Sequence, residues 1–129
     1  MKVIILNGPA NSGKTTTLKE LYAQIKTMGA TDYKTPKPCE VSPSDNEYYV
    51  TFRGNKVAIV TVGDYAIETI FHIGYFYGCG ADILVIANSQ KGFPYTLMKW
   101  HENVFESITI EKHGIQNNNA VISEIIRNL

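Results

Sequence analysis

The chain has 129 residues, zero formal net charge and 44% hydrophobic residues, a profile expected of one soluble globular domain, residues 1–129, with a real core. No basic run or acidic tail supplies a nucleic-acid footprint, and no apolar stretch approaches a membrane span. Residues 1–6 are too short for a signal peptide, and Cys39 and Cys79 form no metal-spaced pair, so two reduced thiols in a cytoplasmic protein are expected.

Val3, Ile4, Ile5 and Leu6 are an apolar run that reads as a buried strand. Gly8, Pro9, Ala10, Asn11, Ser12, Gly13, Lys14 and Thr15 follow in the pattern G-x-x-x-x-G-K-[ST]. Ordinary residue frequencies give that pattern in only about 0.4% of chains this long. Leu18, Leu21, Tyr22, Ile25 and Met28 then recur at helical spacing, and Gly29 is a stop. Strand, glycine loop and helix together make a phosphate cradle. Glycines let the backbone wrap an anion, N–H groups point inward, and the helix dipole faces the charge.

Residues 30–47 carry Pro36, Pro38 and Pro43 among polar residues and read as a long loop, a candidate lid. Residues 48–52 and 56–62 are β-prone runs around Gly54-Asn55, a hairpin signal. Residues 65–77 read as a helix with Ile67, Ile70, Phe71 and Gly74 on one stripe. Residues 83–87 are a buried strand. A helix with Pro94 in its first turn follows, presenting Leu97, Met98, His101, Val104 and Phe105. Residues 107–112 alternate as a strand. Asn118 or Asn119 caps a last helix with Val121, Ile122, Ile125, Ile126 and Leu129 inward. The order β-α-β-β-α-β-α-β-α predicts a three-layer α/β/α sandwich. Its five-stranded sheet should be mostly parallel, with strand 48–52 antiparallel at an edge.

Ligands of such sheets bind beyond the carboxyl ends of the strands, and this sorts the polar residues. Asp64 follows its strand at that end, although Gly63 intervenes; it is either a metal-holding acid or an N-cap. Asn88, Ser89, Gln90, Lys91 and Gly92 also lie there. Lys91 could pair with a phosphate, and Gln90 or Ser89 could orient a water or hydroxyl; a plain polar loop is the alternative. No N-K-x-D guanine signature is present. Asp82 lies at the opposite end, whereas Asp45 and Glu47 enter the hairpin from the ligand end and could reach the site, a solvated loop being the expected reading. The two arginines, Arg53 and Arg127, both fall away from the phosphates. Lys34 and Lys37 remain as lid cations. His72, His101 and His113 have no zinc spacing. Trp100 and Tyr75, Phe76 and Tyr77 read as packing residues, while Tyr65 or Tyr95 could stack on a base.

Through its first strand, loop and helix the chain resembles the P-loop NTPase superfamily. The resemblance implies ATP or another nucleoside triphosphate as ligand, with Mg²⁺. Lys14 would then reach the β/γ-phosphates, Thr15 would ligate Mg²⁺, and Thr16 would stand beside it in the cradle. Asp64 looks like a Walker B acid, and Gln90 and Lys91 would assist. The expected function is a small Mg-dependent phosphotransferase acting on an unidentified small-molecule acceptor. A slow NTPase or switch acting on a partner protein, which would supply the missing arginine, is the alternative; a binding module without turnover is a third.

Overall fold

A computed structural model describes residues 1–9, 12–33, 47–61, 66–89, 105–114 and 117–129, without the side chains of 66–71 and 89. Its elements are β1 (Lys2–Gly8), α1 (Lys14–Thr27), β2 (Thr31–Asp32), β3 (Glu47–Phe52), β4 (Asn55–Val60), α2 (Ala66–Gly78), β5 (Ile83–Ser89), β6 (Glu106–Glu111) and α3 (Asn118–Arg127). The helix expected from Pro94 onward falls largely outside the described residues.

The fold is α/β, but the sheet differs from expectation. Among the described residues it has six strands in the order β2-β3-β4-β5-β1-β6. The β4–β5, β5–β1 and β1–β6 pairs are parallel, and β2–β3 and β3–β4 are antiparallel, so the sheet is mixed. The extra strand is β2, at the start of the stretch read as loop. Both of its residues are exposed, so no apolar run marks it. It exists because the outer edge of β3 offers unpaired backbone groups: Thr31 lies opposite Thr51 and Asp32 opposite Val50.

Alternation along the strands divides the core. Ile4 and Leu6 of β1 join Leu18, Leu21 and Ile25 of α1 and Val121, Ile122, Ile125 and Ile126 of α3. Val3 and Ile5 face the other way, toward Ile73 and Phe76 of α2. Helices therefore cover both faces, which is why the middle strands read as unbroken apolar runs. Each fully buried Leu or Ile contributes about 1.5–3 kcal/mol of transfer free energy, so α1 is anchored mainly by three side chains. On α2, Ile73 and Phe76 point inward and Gly74 of the expected stripe is exposed, while the side chains of Ile67, Ile70 and Phe71 lie outside those described.

Helix ends follow from local chemistry. Ala30 N donates to Ile25 O at 2.9 Å and Gly29 N to Lys26 O at 3.3 Å, closing α1 with a Schellman motif. Ala81 N to Phe76 O and Gly80 N to Tyr77 O repeat it after α2. Asn117, rather than Asn118 or Asn119, occupies the N-cap position of α3, with no side-chain cap bond. The β3–β4 turn is also shifted by one residue. Phe52 pairs with Asn55, leaving Arg53-Gly54 as the turn. Arg53 at φ 51° and Gly54 at φ 80° are both in the left-handed region that a type I′ turn needs.

Candidate functional site

Among the described residues the buried polar side chains are Asn7, Ser12, Lys14, Thr17, Thr61, Asn88 and Lys112. All seven lie at one end of the molecule. Asn7, Thr61, Asn88 and Lys112 end or directly follow β1, β4, β5 and β6, which run parallel, and the others belong to the loop after β1 and the first turn of α1. Burying polar groups costs free energy unless they are partnered, so their concentration marks a built site.

The loop itself is tight. A Cβ on Gly8 would lie 2.5 Å from Lys112 O and 2.9 Å from Ser12 Oγ, so only glycine fits between the ends of β1 and β6. Ser12 N donates to Pro9 O at 3.3 Å, Gly13 turns at φ 80°, and Thr17 N donates to Gly13 O at 2.9 Å to start α1. The Lys14 ammonium folds back over this loop. It donates to Pro9 O at 2.7 Å and Gly8 O at 3.0 Å, and lies 3.5 Å from Ser12 Oγ. Thr15 and Thr16 are exposed at the helix start. Thr15 Oγ1 donates its one proton to Thr61 O at 3.3 Å, which leaves its lone pairs to face solvent or a cation.

That bond carries the end of β4 to the loop. Asp64 lies beyond it, outside the described residues, as do Ala10, Asn11, Gln90 and Lys91 of the expected site. Lys34, Lys37, Asp45, Tyr65, Tyr95, Trp100, His101 and Cys39 also fall outside. The structure therefore brings together Gly8, Pro9, Ser12, Gly13, Lys14, Thr15 and Thr16, and adds partners that the sequence reading passed over.

Two networks supply those partners. On the α2 face, Asn88 Nδ2 donates to Asn7 Oδ1 at 3.1 Å, and Asn7 Nδ2 donates to both carboxylate oxygens of Glu111 at 3.1 and 3.2 Å. Asn88 was expected in a loop, but β5 continues through it. On the α1 face, Lys112 Nζ donates to Gly114 O at 2.8 Å and to Asn118 Oδ1. Thr17 Oγ1 lies 2.9 Å from both Asn118 Oδ1 and Gly13 O, and Asn118 Nδ2 donates to Glu20 Oε2 at 3.2 Å. Burial holds the Lys112 ammonium below the ordinary lysine range, and the Glu20 charge opposes that shift in part. A signal for Lys112 was available: Ile108, Ile110 and Lys112 share one parity, so the strand aims the lysine inward.

Other candidates separate cleanly. Glu47 is not in a solvated loop: it opens β3 opposite Val60, and its Oε1 lies 2.7 Å from His72 Nε2. Asp82 stays at the far end, where its Oδ2 accepts from Lys56 N at 2.8 Å. Arg53 donates to Ile126 O at 3.2 Å, and Arg127 sits in the last turn of α3. His113 is exposed and Cys79 is buried. Among the described residues no three His, Cys, Asp or Glu side chains converge on a metal position, and no helix is long and apolar enough to cross a membrane. Comparison with family models, curated proteins and solved structures finds no match to this chain.

Proposed function

We propose that this domain binds a Mg²⁺-nucleoside triphosphate through residues 8–16 and uses it as a phosphoryl donor, in the manner of a small kinase. The observation that carries the reading is the Lys14 ammonium, buried at the N-terminus of α1 and folded over Gly8 O and Pro9 O. A helix N-terminus, inward N–H groups and a lysine together favour a phosphate anion. The closeness of Gly8 to Lys112 O holds the start of the loop against the end of β6.

The residues divide the work. Lys14 swings from the loop carbonyls to the β/γ-phosphate oxygens. Thr15, its proton engaged by Thr61 O, presents lone pairs suited to Mg²⁺. Asp64 would complete the metal's protein contacts, and Gln90 and Lys91 would lie along the transferred group. Mg²⁺, when bound, neutralises charge on the β- and γ-oxygens. A second reading, a slow NTPase switched by a partner protein, is favoured by one observation: both arginines are at the far end, so a transition-state arginine would come from elsewhere.

Lys14→Ala is expected to abolish or strongly weaken Mg-ATP binding in calorimetry. Unchanged affinity removes the nucleotide reading. Asp64→Asn is expected to weaken ATP binding with Mg²⁺ more than ATP binding in chelator. Equal loss in both conditions makes Asp64 an N-cap instead.

A further inference from the structure

We infer that the nucleophile at this site is a neutral hydroxyl, from water or an alcohol, held by Asn88 Oδ1, and not the phosphate of an acceptor nucleotide. This rests on the nucleotide reading above and adds the chemical class of the second substrate.

The argument begins at Glu111. An ionised carboxylate only accepts hydrogen bonds. Asn7 lies within 3.1 and 3.2 Å of its two oxygens and must therefore turn its NH₂ toward them. That leaves Asn7 Oδ1 facing Asn88 at 3.1 Å. An amide oxygen needs a donor, so Asn88 must in turn present its own NH₂. Glu111 thus sets the polarity of both amides, and the row ends in Asn88 Oδ1. Asn88 is 1% exposed, and that oxygen has no hydrogen-bond partner among the described residues. A buried acceptor left without a donor is costly, so one is expected to arrive with a ligand.

Its position says which ligand. Asn7 is opposite Asn88, and the next pair in register is Gly8 with Ser89. The open acceptor therefore lies beside the first glycine of the phosphate loop. A phosphate oxygen would be repelled there, since it too is an acceptor. A water or alcohol O–H would be held.

In the transfer, the hydroxyl oxygen bonds to the γ-phosphorus. The bond from that phosphorus to the β–γ bridging oxygen breaks, and its electron pair leaves with the nucleoside diphosphate. The hydroxyl proton is lost to solvent. Asn88 orients the O–H but takes no proton, because an amide oxygen is too weak a base.

The test uses wild-type chain, Asn88→Ala and the near-isosteric Glu111→Gln, which lets the amide row reverse. Each is given Mg-ATP with water alone, with glycerol, ribose or adenosine, and with AMP, UMP or inorganic phosphate. Calorimetry measures Mg-ATP affinity, and product analysis identifies where the phosphoryl group goes. Turnover to water or to an alcohol is expected, and both substitutions should cut it about tenfold or more while leaving Mg-ATP affinity within about twofold. The water-only arm separates hydrolysis from alcohol transfer. Phosphoryl transfer to a phosphate group, or turnover indifferent to both substitutions, overturns the assignment. So does loss of Mg-ATP affinity in Asn88→Ala, which would make Asn88 a nucleotide or metal contact. Mg-ATP binding with no turnover in any arm also overturns it and leaves the nucleotide site standing. Failure of the wild-type chain to bind Mg-ATP is a separate result, which removes the nucleotide reading itself.

Discussion

The two ends of the sheet treat polar groups in opposite ways. At the carboxyl end of β1, β4, β5 and β6 a lysine, two asparagines and a threonine are buried. At the other end, polar side chains are used to finish a helix. Lys2 Nζ donates to Asn128 O, Arg53 Nη1 to Ile126 O and Asn55 Nδ2 to Leu129 O, around the C-terminal end of α3. Carbonyls of a helix's last turn lack the usual i+4 donors, although Ile126 O also accepts from Leu129 N at 3.1 Å, and cations suit the negative end of the dipole. The surface cluster of Tyr22, Lys26 and Asp32 is likewise solvated. Its hydrogen bond to Asp32 pushes the Tyr22 hydroxyl up to about 12, but exposed ion pairs such as Lys26–Asp32 contribute only about 0–1 kcal/mol. One end thus carries inexpensive stabilisation, while the other retains costly buried groups that folding alone does not require.

The comparison is broken most severely at Gly8. Gly8→Ala places a methyl group 2.5 Å from a backbone oxygen, and a backbone cannot swing aside as a flexible side chain does. A loss at or above the upper end of about 1–3 kcal/mol is expected in urea unfolding. A loss of a few tenths would mean that β1 and β6 close less tightly than this.

Lys112 tests the cost of burial through pH. Its folded-state pKa lies below the ordinary 10.5, so between the two values the unfolded chain holds more protons than the folded one. Stability should therefore rise with pH as that window is crossed toward 10.5. Lys112→Met should remove this rise. Tyr22 acts in the opposite sense and higher, since its raised pKa makes stability fall as pH climbs from 10 toward 12, so unfolding curves taken below pH 10 isolate the lysine. An unchanged slope in Lys112→Met would place the titrating group elsewhere.

Gly54→Ala should give the smallest effect. A Cβ there meets nothing within 4 Å, and only the φ of 80° opposes it. A loss of about 1–2 kcal/mol is expected, with Mg-ATP affinity unchanged. A change in affinity would mean that the two ends are coupled.

What the sequence disclosed follows the same division. The β1–loop–α1 unit was legible because apolar runs, glycines and helical spacing all lie within a short segment. β2 was not legible, because Thr31 and Asp32 pair through backbone alone and carry no apolar signal. The hairpin turn was misplaced by one residue because Arg53 adopts a conformation usually left to Gly or Asn. Glu47 looked solvated because its partner, His72, is distant in sequence and adjacent only in space. Asn7 and Asn88 were obscured for a simpler reason: a polar residue closing an apolar run reads as the start of a loop, whereas here the strand continues and the polarity belongs to the site.

The placement of β1 also governs how the glycine loop comes into being. Lys2 sits between Ile83 and Glu106, and every later residue of β1 through Asn7 is likewise held by two strands made much later. The first strand synthesised thus waits for both of its neighbours, a pattern of distant pairing that slows folding. An N-terminal fragment lacks the residues that pack on this loop, since Gly8 lies against Lys112 O and Asn7 donates to Glu111. A ligand bound there is consequently a reporter of the completed chain, and its binding energy should protect the whole sheet from unfolding rather than the loop alone.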